Sequence, residues 1–417
     1  MRLCHMVFHG ALLGSTLALA TLPAAAGTSE TRPDWKRTLA AEGIHASAWH
    51  RNAASRFGAV HAPAKYTVLH DFAGAPTDGS DSGAEVTLDS AGNIYGTTDT
   101  GGANTYGTIF KIATDGTETL LHSFGGTGDG STPDGAVTIE SNGDMYGTTS
   151  YGGTSEDGGI WKLAADGTYT VLHNFTTDEG NFARGRLIQD KKGNFYGTAL
   201  FGGSTGDGTV FKFNANGKVT VLHTFNGTDG EFPEHGVVSD KAGNFYGVTA
   251  FGGTSGEGTI YKVAKDGTFT SLYSFTGGAD GGFLYGGLAI DTDGNLYGSA
   301  VDGGANNDGT VFKLAPDGTF TVLYNFTGSA DGANPEGDML RVGTSLYSTS
   351  TSTGADGDGT VYELTAGGKL KVLADFSTSN GNYYSAGLTK SGKTYYGTTE
   401  FGGADDSGVV FRLKTRK

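Results

Sequence analysis

The chain has 417 residues, with 73 Gly, only 8 Pro and a formal net charge of −16 at pH 7. This glycine content without a three-residue period excludes a collagen-like fibre, and 36% hydrophobic residues, with 24 Phe and 19 Tyr, exclude a disordered chain. The first 65 residues hold seven basic and three acidic residues, which leaves a net charge of −20 on the rest. Such an acidic chain argues against nucleic acid and anionic lipid as partners, because phosphate binding needs Lys and Arg.

The N-terminal segment has the pattern of a secretory signal peptide. Arg2 precedes the apolar run ALLGSTLALATL, and the small residues PAAAG follow it. We expect cleavage after Ala26, so that residues 1–26 form the signal peptide of a secreted protein, either extracellular or periplasmic. The single cysteine, Cys4, falls within this segment, so the mature chain would have no disulfide. Residues 27–65 match no repeat and are expected to form a linker or leader, and we expect no membrane anchor.

A repeat of about 50 residues fills the chain after this leader. Its clearest mark is a tyrosine followed by Gly, or once by Ser, which recurs at intervals of 49 to 51 residues at Tyr95, Tyr146, Tyr196, Tyr246, Tyr297, Tyr347 and Tyr396. The seven copies show almost no drift in length, so we expect one structural unit per copy.

Each copy reads as four short strands joined by turns. In residues 185–225 the strand-like stretches are GRLIQD, FYGTAL, TVFKFN and VTVLHTF, separated by KKGN, FGGSTGDG and ANGK. β-Branched and aromatic residues fill the stretches, and Asn-Gly and Gly-Gly pairs fill the turns. The fold class predicted is all-β, a seven-bladed β-propeller of four-stranded antiparallel blades.

The two ends of the array are complementary. It opens with a lone fourth strand, YTVLHDF (66–72), and it ends on a third strand, GVVFRLK (408–414). The N-terminal strand can therefore pair with the last blade and close the ring without a free edge. We assign residues 66–417 to this seven-repeat propeller.

The long loop of each copy ends in an acid before glycine in five of the seven copies. If these carboxylates form a ring, Ca²⁺ is the candidate ion, although Asp and Gly also favour such turns for backbone reasons alone. Because the loop joins strands two and three, it lies on the same face as the connections between blades. The candidate metal ligands are Asp157, Asp207, Glu257, Asp308 and Asp358.

Aromatic residues precede the double glycine of the same loop in four copies. They could stack on sugar rings, or they could pack against the loops of neighbouring blades. These candidate ligand-binding residues are Tyr151, Phe201, Phe251 and Phe401. Four histidines at the end of the fourth strand, His70, His122, His173 and His223, are expected to have a surface or packing role, since they belong to separate blades.

A few residues depart from the repeat, and an asymmetric site would appear among them. They are Arg184, Arg186, His235, Asp338 and Arg341. No nucleophile elbow, phosphate loop or zinc signature is present, so no catalytic residue is assigned. An asymmetric cluster of acids and aromatics at the channel mouth would favour an enzyme, whereas a symmetric ring would favour binding or a scaffold.

The stretch NIYGTTDTGGANTYGTIFKIATDGTETLLHSF (93–124) resembles the Gloeo/Verruco (GloVer) extracellular repeat, whose pattern is similar to LYGTT..GG...GTVFKL..DGT...L.SF. A similar sequence occurs in all seven copies. Copy six departs most, since it lacks the double glycine and has Glu363 where the others have Lys or Arg. The resemblance implies an extracellular bacterial protein and carries no catalytic residues with it.

The sequence thus favours a secreted, non-catalytic binding module whose partner is a polysaccharide or another component of the cell surface. One alternative is a polysaccharide hydrolase or lyase with carboxylates at the channel mouth. The other is a structural surface protein that associates with itself. The sequence does not determine the oligomeric state.

Overall fold

The computed structural model describes residues 64–383 and 386–415, all within one compact unit, Asn52–Lys417. The predicted signal peptide (1–26) and all but the last two residues of the predicted leader (27–65) lie outside the described residues.

The described residues form strands, turns and loops. Before and within blade 1 the strands are Lys65–Asp71 (β1), Gly79–Ser80 (β2), Thr87–Leu88 (β3), Ile94–Thr98 (β4), Thr100–Gly101 (β5), Thr108–Ile112 (β6) and Glu118–Ser123 (β7). Those of blades 2 and 3 are Thr138–Ile139 (β8), Met145–Thr149 (β9), Gly159–Leu163 (β10), Tyr169–Asn174 (β11), Asn181–Gln189 (β12), Phe195–Phe201 (β13), Thr209–Phe213 (β14) and Val219–Thr224 (β15).

The remaining blades follow the same order. Blades 4 and 5 contain Val238–Ser239 (β16), Phe245–Thr249 (β17), Thr259–Val263 (β18), Phe269–Ser274 (β19), Ala289–Ile290 (β20), Leu296–Ala300 (β21), Thr310–Leu314 (β22) and Phe320–Asn325 (β23). Blades 6 and 7 contain Leu340–Val342 (β24), Ser345–Ser350 (β25), Thr360–Leu364 (β26), Leu370–Asp375 (β27), Thr389–Ser391 (β28), Thr394–Thr399 (β29) and Val409–Lys414 (β30).

Seven four-stranded antiparallel sheets form the ring, and the predicted fold class is confirmed. Five sheets are built from consecutive strands. Blade 1 has the order β3-β4-β6-β7, because β5 pairs with β2 in a small separate sheet, and the seventh blade has the order β1-β30-β29-β28. The predicted closure is therefore also confirmed: the N-terminal strand pairs with the last strand, with Tyr66 opposite Leu413 and Val68 opposite Phe411. β1 begins at Lys65, one residue before the predicted start.

Aromatic side chains fill the space between blades. The phenylalanine after each fourth strand is completely buried, and it meets the aromatic residue of the third strand in the next blade. Phe72 and Phe110 lie 5.2 Å apart edge to face, and Phe175 and Phe211 lie 5.0 Å apart. Burial of one such ring contributes on the order of 2–3 kcal/mol. Each sheet is apolar on both faces because a neighbouring blade covers each one.

The first strand of each blade lies nearest the axis of the ring. Thr87 of blade 1 donates its hydroxyl to the carbonyl of Val137 in blade 2, at 2.6 Å, and Thr138 makes the same contact with Leu187 of blade 3. These bonds join the first strands into an inner ring around a channel. No helix capable of crossing a membrane occurs among the described residues.

Candidate functional site

The chain enters each blade through one residue in the left-handed backbone region. These residues have φ between 53° and 62°, which is uncommon for residues other than glycine. They are Asp81, Thr132, Phe182, Phe232, Phe283, Asn334 and Tyr383. The residue two positions later begins the channel lining. Because the repeat places one such residue per blade, the linkers form a ring around the channel mouth.

The channel lining differs from blade to blade, although the scaffold around it repeats. At the second position after the left-handed residue, blades 2 to 6 carry Asp134, Arg184, Glu234, Tyr285 and Glu336. The Arg184 guanidinium donates to the carboxylate of Asp134 on one side and to that of Glu234, at 2.8 Å, on the other. One basic residue therefore joins the linkers of three consecutive blades. We call the set Asp134, Arg184, Glu234, Tyr285 and Glu336 the upper layer.

Two ion pairs cross the channel below the upper layer. Arg186 of blade 3 pairs with Glu85 of blade 1 at 3.0 Å, and His235 Nδ1 of blade 4 lies 2.9 Å from Asp338 Oδ1 of blade 6. Neither pair joins adjacent blades, so both reach towards the axis of the ring. Together they form a lower layer of charge. Of the five sequence departures, Arg184, Arg186, His235 and Asp338 thus come together at the channel.

The fifth departure, Arg341, lies elsewhere. Its guanidinium stands 5.7 Å from the ring centre of Tyr297 and 3.9 Å from the carboxylate of Asp291. It takes the place that Lys occupies over the tyrosine in other blades, as Lys212 does over Tyr196. Arg341 is therefore part of the hairpin scaffold.

The His235–Asp338 pair is electrostatically coupled. Burial alone would lower the pKa of His235, but the Asp338 carboxylate outweighs it and raises that pKa above its usual value. Burial would likewise raise the pKa of Asp338, but His235 and the Gly287 N–H, which donates to its carboxylate at 2.6 Å, hold the pKa below its usual value. Each partner favours the charged form of the other.

Carboxylates crowd the opposite side of the mouth. Burial, followed by the nearby Glu400, Asp302 and Glu234 carboxylates, raises the pKa of Glu336 to about 7, despite a hydrogen bond from Thr351 that opposes the shift. Burial also raises the pKa of Asp302. Glu336 therefore keeps its proton to a higher pH than an ordinary glutamate, and other carboxylates stand near it. Shifted pKa values of this kind are more frequent at functional sites than elsewhere.

An arc of aromatic rings borders the mouth. Each predicted loop aromatic contacts an aromatic at the left-handed position of a linker: Tyr151 lies 4.6 Å from Phe182, and Phe251 lies 5.1 Å from Phe283. Linker rings also contact the next loop, so that the arc runs through Tyr151, Phe182, Phe201, Phe232, Phe251 and Phe283. Phe401 instead lies near Tyr383, at 5.6 Å, in blade 7. We call the six-residue set the aromatic arc.

The arc touches the charged upper layer. The Arg184 guanidinium lies 5.1 Å from the ring centre of Phe182, and Tyr285 lies 6.2 Å from Phe251. Phe201, Phe251 and Phe401 are partly exposed, so packing between loops leaves part of each ring accessible. The four sequence candidates therefore lie at the mouth, and their ligand-binding role stays a prediction.

The five predicted metal ligands occupy equivalent loops of five different blades. Asp157 accepts hydrogen bonds from Thr177 Oγ1 at 3.0 Å and Asn181 Nδ2 at 2.9 Å, both in the next linker. The backbone carbonyl of Asp207 accepts a bond from the N–H of Phe232. Among the described residues, one group of three side chains could hold a metal ion, and it includes none of these five acids. Their contacts agree with a role in holding the linkers, and Ca²⁺ binding stays a prediction.

The four histidines each pair with an acid in the following linker, which agrees with the expected packing role. His122 Nε2 lies 3.3 Å from Asp129, and His223 Nε2 lies 3.1 Å from Asp229. In two later blades a tyrosine replaces the histidine and makes the equivalent bond: the Tyr273 hydroxyl donates to the Asp280 carboxylate at 3.1 Å. The pair fixes the linker against the outer strand.

A cavity of about 470 Å³ lies on the other side of the lower layer. Its lining includes Glu85 and Arg186, together with Asp89 and Lys390 from the short-turn side of the blades. The Arg186–Glu85 pair therefore belongs both to the lower layer and to the lining of this cavity.

Sequence reasoning missed half of the site. The residues that were not among the candidates are Glu85, Asp134, Glu234, Tyr285, Asp302, Glu336 and Glu400. A signal was present, because Glu234, Tyr285 and Glu336 share one linker offset at which Asp134 and Arg184 also fall. Aligning the linkers, instead of the strands, would have found the variable channel position.

One known sequence family matches the whole ring. The sequence model of the Gloeobacter/Verrucomicrobia repeat matches residues 55–242 and 233–417. The chain belongs to this repeat family. Among curated proteins, none matches the sequence significantly.

Solved structures with a similar fold have varied descriptions. Streptogramin B lyase is 14% identical, with a TM-score of 0.57 over 84% of this chain and 97% of the lyase. The extracellular domain of a putative hybrid two-component system from B. thetaiotaomicron is 12% identical, with a TM-score of 0.55 over 85% of this chain and 42% of that one. Puromycin hydrolase is 13% identical, with a TM-score of 0.51 over 78% of this chain and 50% of the hydrolase. At these identities the likeness shows the fold alone.

Proposed function

We propose that this repeat protein is secreted, or exported to the periplasm, and binds a carbohydrate of the cell envelope or surroundings at its channel mouth. The observation that carries the proposal is the channel position that holds four different residue types in blades 2 to 6, with Glu in two of them, bordered by the aromatic arc. A purely structural ring has no need of four residue types at one equivalent position, since the rest of the repeat is kept.

The chemistry of the mouth suits a polyhydroxylated ligand. Partly exposed rings such as Phe201 and Phe251 offer apolar faces for stacking on sugar rings. Arg184 and Glu234 offer charged donors and acceptors for hydroxyl groups beside them. A pocket that combines apolar walls with a few fixed polar groups is the usual form of a small-molecule site.

Export is supported by the signal-like N-terminus. The similar domains from two putative sensor systems of B. thetaiotaomicron are described as extracellular. Fractionation of cells that express the full chain, followed by sequencing of the N-terminus, tests this part. A mature chain beginning at Gly27 outside the cytoplasm is expected, and retention of Met1 in the cytoplasm would contradict it.

Depletion from solution by insoluble polysaccharides tests the binding function. The purified mature protein is mixed with a panel of polysaccharides, with Ca²⁺ and with chelator. We expect specific depletion by at least one, reduced at least tenfold in affinity by Phe201→Ala with Phe251→Ala. Tyr106→Ala is the matched control, because Tyr106 is an exposed aromatic, 41% accessible, that lies outside the arc.

The outcomes separate the possibilities. Depletion that Tyr106→Ala weakens as much as the arc variant would contradict the mouth as the site. No depletion by any polysaccharide would contradict a carbohydrate partner. Loss of depletion with chelator that added Ca²⁺ restores and added Zn²⁺ does not would support the five loop acids as Ca²⁺ ligands.

One observation favours a second candidate, a polysaccharide hydrolase or lyase. Glu336, with its pKa of about 7, could protonate a leaving oxygen while a neighbouring ionised carboxylate assists. Incubation of soluble polysaccharides with the protein, with detection of new reducing ends and of unsaturated products, tests this. Activity abolished by Glu336→Gln would support catalysis, whereas binding without any product would support the binding module.

A further inference from the structure

The junction between blades 7 and 1 contains an acid at a position where the other blades carry an uncharged residue. In three of the seven junctions, the residue near the end of the fourth strand stacks on an aromatic at the start of the next fourth strand. The ring centres of His122 and Tyr169 lie 3.8 Å apart, and those of His223 and Phe269 lie 3.5 Å apart. Between blades 7 and 1 the equivalent of the aromatic is Glu118, so His70 faces a carboxylate instead of a ring.

Glu118 has an oxygen with no hydrogen-bond partner. Its Oε1 is fully buried and accepts no hydrogen bond. A buried carboxylate oxygen without a partner is costly unless a cation or donor occupies the space beside it. The equivalent position holds Tyr, Val, Phe or Leu in the other blades.

The neighbouring side chains are arranged as ligands. His70 Nε2 lies 3.0 Å from Asp78 Oδ2, and the ligand atoms of His70, Asp78 and Glu118 all lie within 4.8 Å of one another. The Asp78 carboxylate is fixed in place, because it also accepts bonds from the N–H groups of Ala73 at 2.9 Å and Gly79 at 2.7 Å. Among the described residues, these three are the His, Cys, Asp or Glu side chains that lie close enough together to share one metal ion.

The donor set fits a small divalent transition-metal ion. Zn²⁺ takes imidazole and carboxylate ligands at about 2.0–2.2 Å, and in a tetrahedral site neighbouring ligand atoms then stand about 3.3 Å apart. The His70–Asp78 distance of 3.0 Å is close to this value. On binding, the ion would replace the proton shared by His70 and Asp78 and would give Glu118 Oε1 a partner.

We propose that His70, Asp78 and Glu118 form a binding site for a divalent transition-metal ion, with Zn²⁺ as the best match, at the junction of blades 7 and 1. The three ligands come from the closing strand β1, the linker after it and β7 of blade 1. The ion would hold β1 against blade 1 and so support the strand that closes the ring. This site is separate from the channel mouth and from the loop acids.

Titration of the chelator-treated mature protein with ZnCl₂ tests the proposal. We expect one saturable site per chain by calorimetry, and a rise in melting temperature with Zn²⁺, because the ion binds the folded state preferentially. Glu118→Phe installs the residue that blades 4 and 5 carry at this position. The variant should remain folded, bind Zn²⁺ at least 100-fold more weakly and lose the Zn²⁺-dependent rise.

His223→Ala is the matched control, since His223 is paired with Asp229 but lies against Phe269 instead of an acid. It should bind Zn²⁺ as the wild type does. The proposal is overturned by the absence of a saturable site, by equal binding to Glu118→Phe and wild type, or by several weak sites that His223→Ala reduces. A His70→Ala variant that is folded by circular dichroism and still binds Zn²⁺ as tightly as the wild type would overturn it as well.

Discussion

Gly147 lies directly beneath the indole ring of Trp161. The two residues are paired across β9 and β10, and a Cβ at Gly147 would stand 2.3 Å from Cζ2 of the ring. The Trp161 Nε1–H donates to the carbonyl of Thr148 at 3.1 Å, which fixes the ring over the glycine. This relationship explains why the anchor tyrosine is followed by glycine: the small residue makes room for the buried aromatic of the third strand.

Replacement of this glycine by alanine is therefore expected to destabilise the ring. Gly147→Ala should lower the free energy of unfolding by about 1–3 kcal/mol, because an added methyl overpacks the interior and must displace the ring. Urea unfolding followed by tryptophan fluorescence measures the change.

Gly367→Ala controls for the general effect of glycine replacement. A Cβ at Gly367 meets no atom within 4 Å, and its φ lies outside the left-handed region. This variant should be neutral or slightly stabilising. Equal destabilisation by both substitutions would contradict the steric explanation.

Glu336→Gln is expected to stabilise the protein at pH 8 and to leave its stability at pH 4 unchanged. The folded-state pKa of Glu336, about 7, lies above the ordinary value of 4.5. The folded state thus holds the proton more tightly, and the free energy of unfolding falls as the pH rises from about 4.5 to 7. Gln does not ionise and can still accept the hydrogen bond from Thr351.

The stabilisation by Glu336→Gln at pH 8 should be about 1–3 kcal/mol. Urea unfolding at both pH values measures it, and the exposed Glu156→Gln controls for removal of one negative charge. A variant that is less stable than the wild type at pH 8 would show that ionised Glu336 makes stabilising contacts instead.

The His235–Asp338 pair should stabilise the fold most at mildly acidic pH. Because the pKa of His235 is raised, its contribution is complete below its ordinary value of 6.5 and is lost as the pH rises through the folded-state pKa. Because the pKa of Asp338 is lowered, its contribution is complete above 3.8 and is lost as the pH falls through the folded-state pKa.

The destabilisation caused by His235→Gln should accordingly be larger at pH 5.5 than at pH 8.5. Melting temperatures of wild type and variant at the two pH values give the comparison. Arg184 and Glu234 lie near the pair, so Asp338→Asn should be measured as well, and it should show the same trend. Equal differences at both pH values would mean that the pair is not charged in the folded protein.

Tyr66 should be needed to keep the ring closed. Its hydroxyl donates to the carbonyl of Asn380 at 2.7 Å, and its ring stacks on Phe411 at 5.1 Å. Tyr66→Ala should cost about 3–5 kcal/mol, and Tyr66→Phe about 1 kcal/mol. Loss of packing should also release β1, which no covalent connection holds to the rest of blade 7.

Limited proteolysis detects that release. Tyr66→Ala should be cleaved within residues 64–72 under conditions in which the wild type is intact. Tyr169→Ala is the control, since Tyr169 makes the same type of bond, to the carbonyl of Asp129 at 2.7 Å, but belongs to a strand continuous with its own blade. Equal release of β1 and β11 would contradict a special role for ring closure.

Most of the fold could be predicted because each strand is specified by nearby residues. The stretch TVFKF forms β14 at Thr209–Phe213, and FYGTAL lies within β13, as the alternation and the turns between them indicate. The closing pair β1 and β30 could be predicted too, because the repeat leaves one strand over at each end. In contrast, the loop acid Asp157 recurs in five copies and the aromatic at Phe201 in four. Both kinds of residue also serve in turns and packing, so the pattern alone could not say whether either binds a ligand.

By itself, then, the sequence determined the number of blades, the order of strands and the way in which the ring closes, since these follow from a local pattern written seven times. Only the tertiary structure decided which residues share a site. Arg186 meets Glu85, and His235 meets Asp338, about one hundred positions apart and two blades away. The physical reason is that the ring turns every blade towards a common axis, so that residues distant in sequence face one another there, and no period along the chain records which pairs do so.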